Sequence, residues 1–248
     1  MDGVELKIDW EFAAERTPNQ VSNFCCRTNG KLIGYALLEG DGPALEVTAA
    51  VASQYRRQGI FTGLLRAVKE EAQRRKATSL LAVSYRASAS GTAAMQALGL
   101  AYISSEYRME AEEATMPVLP EGILRLVQVD ASNAEILSQI TALTFGRISA
   151  ALDKRLQQDG SRYFLAELDG AWIGQIGVVN SEGSIYIRGV GILPEYQRRG
   201  YGRQLLAATL KQMLLEKFTS FLLDVATDNP QALSLYYSCG FFETTIYD

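Results

Sequence analysis

The stretch Val190-Gly-Ile-Leu-Pro-Glu-Tyr-Gln-Arg-Arg-Gly-Tyr-Gly-Arg-Gln-Leu-Leu206 carries the decisive information in this chain. It reads as a strand, a basic glycine-rich turn and the start of a helix. Glycines at Gly200 and Gly202 let backbone approach a bulky anion, and the free amides and positive dipole end of the helix point at it. Arg198, Arg199 and Arg203 add positive charge. The physical reading is a pyrophosphate cradle. The bland alternative is a basic, solvated turn that caps an ordinary helix. The loop is no Walker loop, because the Lys-Ser/Thr pair is missing. It is no dinucleotide fingerprint either, because no third glycine follows and no acidic residue ends the next strand at the usual distance.

Outward from this stretch, the chain repeats itself. Tyr196 to Gly240 lies over Tyr55 to Gly99 without a gap, at an offset of 141 residues at both ends. In that register Tyr55, Arg57, Gly59, Leu64, Leu65, Ala67, Thr78, Ser79, Leu81 and Gly99 meet identical residues. Self-similarity at fixed spacing with matched landmarks marks a duplicated unit. The seam falls near the acidic, proline-bearing stretch Glu112 to Glu121.

The second copy has legible periodicities. Ile123 to Val129 predicts a first strand. Ala131 to Phe145 has helical spacing at Ile136, Ile140, Leu143 and Phe145, and a second helix fits Ser149 to Gln158. Tyr163–Leu168, Trp172–Val179 and Ile185–Leu193 follow as strands, punctuated by the turn signals Asp169-Gly170 and Glu182-Gly183. Leu205 to Lys217 predicts a helix with an inward row at Leu206, Leu210, Met213 and Leu214. Phe218–Ala226 is a buried strand, Pro230–Ser238 a helix with proline in its first turn, and Phe241 onward a last strand. The order implies an α/β chain with a mixed sheet and helices packed on it. The first copy is shorter at its start, and only 8 residues follow Gly240. Either the ends are incomplete or the two copies share elements.

Composition narrows the chemistry. With 24 basic against 28 acidic residues among 248, the net charge is −4, which argues against a chain built to hold nucleic acid or an anionic membrane. The absence of histidine removes His-based nucleophile triads and His-ligated metal sites, so no metal is expected. A general base must be a carboxylate, an amine, a tyrosine or a relayed water. The cysteines Cys25, Cys26 and Cys239 form neither a disulfide framework nor a zinc spacing, which suits a reducing cytoplasm. The charged first twenty residues do not read as a signal peptide, and no apolar run approaches the ~18 residues needed to span a bilayer. The expectation is a soluble cytoplasmic protein.

Residues Tyr196 to Leu206 resemble the acyl-CoA loop of the GCN5-related N-acetyltransferase (GNAT) superfamily, whose Q/R-x-x-G-x-G/A pattern is met by Gln197, Gly200 and Gly202. The stretch Asp224 to Phe241 is similar to the family's second signature, an Asn followed by Ala, Leu-Tyr and Gly-Phe at fixed intervals. The tandem arrangement is also similar to that of mycothiol synthase, a likeness of architecture that carries no substrate. The resemblance implies two tandem acyl-CoA N-acyltransferase folds, each a mixed sheet flanked by helices. It also implies acetyl-CoA as co-substrate and direct transfer to a primary amine of a small molecule or peptide. The rival reading is a non-catalytic acyl-CoA-binding or regulatory protein. On the family pattern, Val190, Gly191 and Ile192 pair with the pantetheine arm, and Arg198, Arg199, Gly200, Tyr201, Gly202 and Arg203 surround the pyrophosphate. Asn229 bonds the pantetheine arm, and Tyr236 protonates the departing thiolate. Read alone, Asn229 is an Asx turn before Pro230 and Tyr236 a core residue.

Asp224 falls where some family members carry a catalytic carboxylate, and it stands open between general base and structural acceptor. Glu195 and Tyr186 are lesser candidates. Cys239 and Tyr237 read as helix-end packing, and Trp10 and Trp172 as core. In the first copy Val83, Ser88 and Met95 stand for Asp224, Asn229 and Tyr236, and Phe61 replaces Gly202. Residues 1–115 therefore read as a degenerate domain that braces the active copy or walls its acceptor groove, and 122–248 as the catalytic domain. Neither nucleic acid nor membrane is expected as a partner, and the assembly is expected to be a monomer or homodimer.

Overall fold

In the computed structural model the described residues are 6–8, 13, 19–40, 43–146, 160–181 and 183–248. The chain forms two compact units, Met1–Ser105 with Thr245–Asp248, and Glu106–Thr244.

The first unit is built on a four-stranded sheet in the order β1 (Asn23–Thr28), β2 (Lys31–Glu39), β3 (Ala44–Val51), β4 (Ser79–Ala82). Asn29 and Gly30, both at positive φ, make the tight turn that joins β1 to β2. Helix α1 (Ile60–Arg74) lays Leu64, Val68 and Ala72, one residue per turn, onto Ala36, Leu38, Leu45 and Val47 of the sheet. Helix α2 (Ala89–Ala97) starts at Ser88, whose hydroxyl accepts from the Gly91 amide. The chain's last residues close this unit: the amides of Ser84 and Asp248 donate to each other's carbonyls, and the Arg86 guanidinium binds the Asp248 carboxylate.

The second unit has a seven-stranded sheet. Its strands are β5 (Glu106–Glu112), β6 (Arg125–Gln128), β7 (Ser161–Leu168), β8 (Ala171–Ser181), β9 (Ser184–Ile192), β10 (Ser220–Ala226) and β11 (Phe242–Tyr247). They lie in the order β11-β5-β10-β9-β8-β7-β6. Helix α4 (Tyr201–Leu215) buries Leu205, Leu206, Leu210 and Met213 on one face, against Ile185, Ile187, Phe221 and Leu223. Helix α5 (Pro230–Tyr237) adds Tyr236 to the same core. Helix α3 (Ala134–Phe145) covers the other face, where Leu137 and Ile140 meet Tyr163, Leu165 and Leu193.

β5 passes from one copy into the sheet of the other. It belongs by sequence to the tail of the first copy, yet it runs antiparallel to β10 along the whole strand, from Glu106↔Ala226 to Glu112↔Ser220. The copies share elements. The repeat itself holds at backbone level: α1 and α4 begin at positions 60 and 201 and end at 74 and 215, the same offset of 141. Left-handed residues recur in step, with Arg57 at φ 63° and Arg198 at 62°, and Gly59 at 79° and Gly200 at 81°.

Other expectations need correction. Helix α3 starts at Ala134 and turns Leu137, Ile140 and Thr141 inward, while Leu143 is 64% exposed and Phe145 is also exposed. A periodic row cannot tell which neighbouring face a helix meets, and here Thr141 is drawn in by the buried amide of Gln175. Helix α4 begins at Tyr201, four residues before its apolar row, because left-handed Gly200 already opens the helix. The helix predicted over 149–158, Glu182 of one turn and Trp10 lie outside the described residues.

Candidate active site

Strands β9 and β10 run parallel and pair only at Phe221↔Ile185 and Leu222↔Tyr186 before they part. Beyond Tyr186, β9 bulges against β8: Gly177 faces Arg188 and Gln175 faces Gly191, so Gly189 and Val190 together oppose one residue. Gly189 takes φ 60°, a left-handed turn that glycine adopts without strain. The bulge kinks β9 away from β10 and leaves the backbone of Val190, Gly191 and Ile192 without a β10 partner. Gly191 also lets α3 come close, since a Cβ there would run into Thr144 Cγ2 and lie 3.0 Å from Phe145 Cζ.

The first copy shows what the unbulged arrangement looks like. There β3 pairs with β2 without a register break, and β3 stays joined to β4 from Ala44↔Ser79 to Val47↔Ala82. The Val83 amide then donates to the Val47 carbonyl at 2.9 Å. The loop before the helix, in contrast, is the same in both copies. Gln197 Nε2 donates to the Ile192 carbonyl at 2.9 Å, and Arg56 Nε donates to the equivalent Val51 carbonyl at 3.0 Å. Gln197 thus closes the loop, a role any long donor can fill.

At the N-terminus of α4, a Cβ on Gly200 would meet nothing within 4 Å, so its glycine is demanded by φ alone. On Gly202 a Cβ would touch Leu235 at 3.5 Å, ordinary contact, so a methyl fits and a large side chain would fill the space in front of the helix. Arg198 and Arg199 are exposed beside Gly200, with the Arg199 guanidinium 5.9 Å from the Tyr196 ring centroid. Arg203 reaches the other way and donates to the Ser238 carbonyl at 3.2 Å, satisfying the C-terminal end of α5. Asn229 caps α5, its side-chain oxygen accepting from the Ala232 amide at 3.1 Å. In the loop and cap signature three side chains, Gln197, Arg203 and Asn229, are thus spent on holding the fold.

Tyr236 is 8% exposed, edge-on to Phe241 with ring centroids 6.0 Å apart. Among the described residues its hydroxyl has no hydrogen-bond partner, and burial pushes its pKa up to about 12. Cys239 is fully buried, and desolvation raises its thiol pKa. Glu195 is exposed in the short turn Pro194–Tyr196, and Tyr237 bonds Glu243.

Asp224 sits on β10 two residues past the last β9 pair. Strand alternation places Phe221, Leu223 and Val225 in the α4 core and Asp224 on the opposite face. There the carboxylate is bound by Arg108 of β5, Nε to Oδ1 at 3.0 Å and Nη2 to Oδ2 at 3.2 Å. Tyr186 of β9 donates to Oδ2 at 3.0 Å. Burial, and then the Asp224 charge, push the Tyr186 phenol well above its ordinary range, so it is a donor and not a base. Sequence reading named Tyr186 only as a lesser candidate and missed Arg108. The pair is 116 residues apart and meets only through the β5–β10 ladder. Gly189, a glycine inside a strand pattern, was the legible trace of the bulge.

Among the described residues no group of three or more Cys, Asp or Glu gathers as a metal site, and no helix is long and apolar enough to cross a membrane. The profile of the Acetyltransferase (GNAT) family matches residues 2–98 and again 134–241, once in each copy. A mycothiol acetyltransferase of Streptomyces griseus subsp. griseus is 27% identical over 240 residues, covering 89% of this chain and 76% of its own. Two solved structures share the fold. A GCN5-related N-acetyltransferase from Sphaerobacter thermophilus has a TM-score of 0.72 at 18% identity, over 88% of this chain and 76% of its own. A tandem GNAT protein from the clavulanic acid biosynthesis pathway has a TM-score of 0.64 at 19% identity, over 92% and 83%.

Proposed function

The chain belongs to the acetyltransferase (GNAT) family and is an acyltransferase; from that premise we propose that its acetyl transfer takes place in the second copy, with a primary amine as acceptor. The observation that carries this reading is the bulge of β9 and its parting from β10 beside the left-handed Gly200 turn; the first copy has no such bulge, and its β3 stays paired with β4 further along, to Val47↔Ala82. Acetyl-CoA, the family's acyl donor, supplies the activated thioester. The free backbone of Val190, Gly191 and Ile192 is suited to pair with the pantetheine arm, and an amide at the bulge to polarise the thioester carbonyl. The amides of Tyr201 and Gly202 at the start of α4, with Arg198 and Arg199, suit the pyrophosphate.

Tyr236 belongs to the core on the α4 side of the sheet and Asp224 to the opposite face. Tyr236, protonated and unbonded, gives its proton to the leaving thiolate, whose thiol has a pKa of roughly 8.5 in a free cysteine. Asp224 meets the amine from the other face. Arg108 and Tyr186 hold its carboxylate in place beside the parting of β9 and β10. Asp224 thus binds and orients the amine while water carries the proton away. Cys239 is buried with a raised pKa, which speaks for direct transfer over an acyl-enzyme.

The test is thiol release from acetyl-CoA across a panel holding the desacetyl form of mycothiol, polyamines, aminoglycosides and peptide N-termini. Turnover of at least one amine is expected. Gly202→Trp should abolish acetyl-CoA binding in calorimetry while Gly202→Ala retains it. Normal binding by the Trp variant would remove the cradle from the reading, and binding without thiol release on any amine would favour a regulatory acyl-CoA-binding protein.

A further inference from the structure

We propose that Gln175 is an acceptor-specificity residue of the second copy, and that the amine it selects carries an oxygen, hydroxyl or carbonyl, on the neighbouring carbon. The inference rests on the second-copy reading above and names the class of amine that the same site takes.

Gln175 lies at the bulge itself. It stands on β8 opposite Gly191, the residue that follows the inserted Gly189 and Val190 of β9. Its side chain points to the face covered by α3, which is also the face that carries Asp224. It is 2% exposed. The Thr141 hydroxyl of α3 lies 2.7 Å from the Leu137 carbonyl and 2.7 Å from Gln175 Oε1, and so holds the amide by its oxygen end. That leaves Nε2 as the outer atom. It lies 3.7 Å from where a Cβ on Gly189 would stand, and among the described residues it has no hydrogen-bond partner. Gly189 is exposed and has no side chain, so a molecule seated over the bulge reaches Nε2. One turn further along α3, Thr144 Oγ1 is a second buried polar atom without a partner, brought against β9 by the missing Cβ of Gly191.

The fold does not demand an amide at this place. The carbonyls of Val51 and Ile192 take the same loop-closing bond in the two copies, and one residue earlier Ala50 faces Tyr35 where Gly191 faces Gln175. Tyr35 turns its hydroxyl to Asn23 of β1. A buried amide with an open donor packs less favourably than an apolar side chain of the same size, because the lost hydration of its N–H is not replaced within the protein. An oxygen of a bound acceptor replaces it. The N–H donor recognises an oxygen and offers nothing to an ammonium or a methylene, so the amide selects among amines by what stands beside the nitrogen. Such discrimination is steep, since an analogue without the oxygen leaves the buried donor unpaired.

The experiment uses the full chain and follows acetyl-CoA-dependent thiol release with an amino sugar whose hydroxyl neighbours the amine, an amino-acid amide, and an alkyl diamine. The first two separate hydroxyl from carbonyl as the source of the oxygen. Wild type is expected to favour at least one of them over the diamine by about 10²-fold or more in kcat/KM. Gln175→Met keeps the length and the packing, leaves Thr141 bonded to the Leu137 carbonyl and removes the donor. Gln175→Asn keeps the amide and withdraws it by one methylene. Both variants are expected to bind acetyl-CoA within about twofold of wild type and to lower kcat/KM for the favoured amine by at least about tenfold, mainly through KM, while the diamine changes by less than about twofold. A purely structural role would lower all the amines alike, and that outcome overturns the proposal. So do unchanged kinetics in Gln175→Met, a wild type that uses the diamine as well as the others, and a wild type that turns over neither oxygen-bearing amine. Failure of the second-copy reading is seen separately, because Gly202→Trp would then bind acetyl-CoA normally in calorimetry.

Discussion

Tyr236 is a core residue that the proposed mechanism also uses as the proton donor. Its spacing on an amphipathic helix is that of a packing residue, and it does pack, 8% exposed against Phe241. The same burial that makes it core raises its pKa to about 12. The sign follows directly: a phenol with a raised pKa keeps its proton until the pH nears that value, so the acid form is present throughout the neutral and mildly alkaline range. Turnover should therefore show no alkaline fall from this group between about pH 7 and 10. Tyr236→Phe should lower kcat by roughly 10²-fold or more with acetyl-CoA affinity unchanged, since only the proton donor is lost. Full turnover by the Phe variant in a thiol-release assay would assign the acid elsewhere. Asn229 and Gln197 behave in the opposite way. Their place in the signature is legible in sequence, but their side chains are spent on capping and loop closure.

At the scale of elements, α1 and α4 share length, register and the left-handed entry, yet their ends are fastened differently. In α1, Glu71 is 7% exposed and accepts from Arg74, Arg75 and the Val21 amide, which ties the segment before β1 to the helix. These partners, Arg74 first, hold the carboxyl down to about 2. A depressed folded-state pKa gives stability that is fully present above the ordinary carboxylate range and is lost as the pH falls through it toward 2. Thermal unfolding followed from pH 6 down to about 2.5 should show the first unit losing stability below about pH 4.5, and Glu71→Gln should flatten that dependence. At neutral pH the same substitution should cost roughly 1 to 3 kcal/mol, as for loss of charge-assisted bonds at a buried site. An unchanged acid profile in the Gln variant would show that this cluster is not what titrates. The bulge in β9 is the second difference between elements: Gly189 and Val190 are inserted against one β8 residue, where β3 pairs with β2 without interruption.

For the molecule as a whole, duplication produced two units with the same loop, of which only the second carries the strand bulge and the earlier parting of its parallel strands. The first copy retains the left-handed Arg57 and Gly59 but puts Phe61 where the second has Gly202. Its β3 and β4 remain hydrogen-bonded through Val47 and Val83. Calorimetry should accordingly find about one acetyl-CoA bound per chain, with no remaining site in Gly202→Trp. Two bound per chain would mean that Phe61 does not block the first-copy loop. The sequence by itself determined the repeat, the mixed sheets and the family, and it placed Gly200, Gly202 and Tyr236 at the right ends of the right helices. Those features depend on periodicity, turn chemistry and spacing along the chain, which are local and survive in one dimension. Only the tertiary structure decided that β5 enters the second sheet, that Arg108 meets Asp224 across 116 residues, and that β9 carries a bulge where β3 has none. Those outcomes depend on which strand edges find each other and on whether a strand carries an extra residue, and neither is fixed by any local pattern.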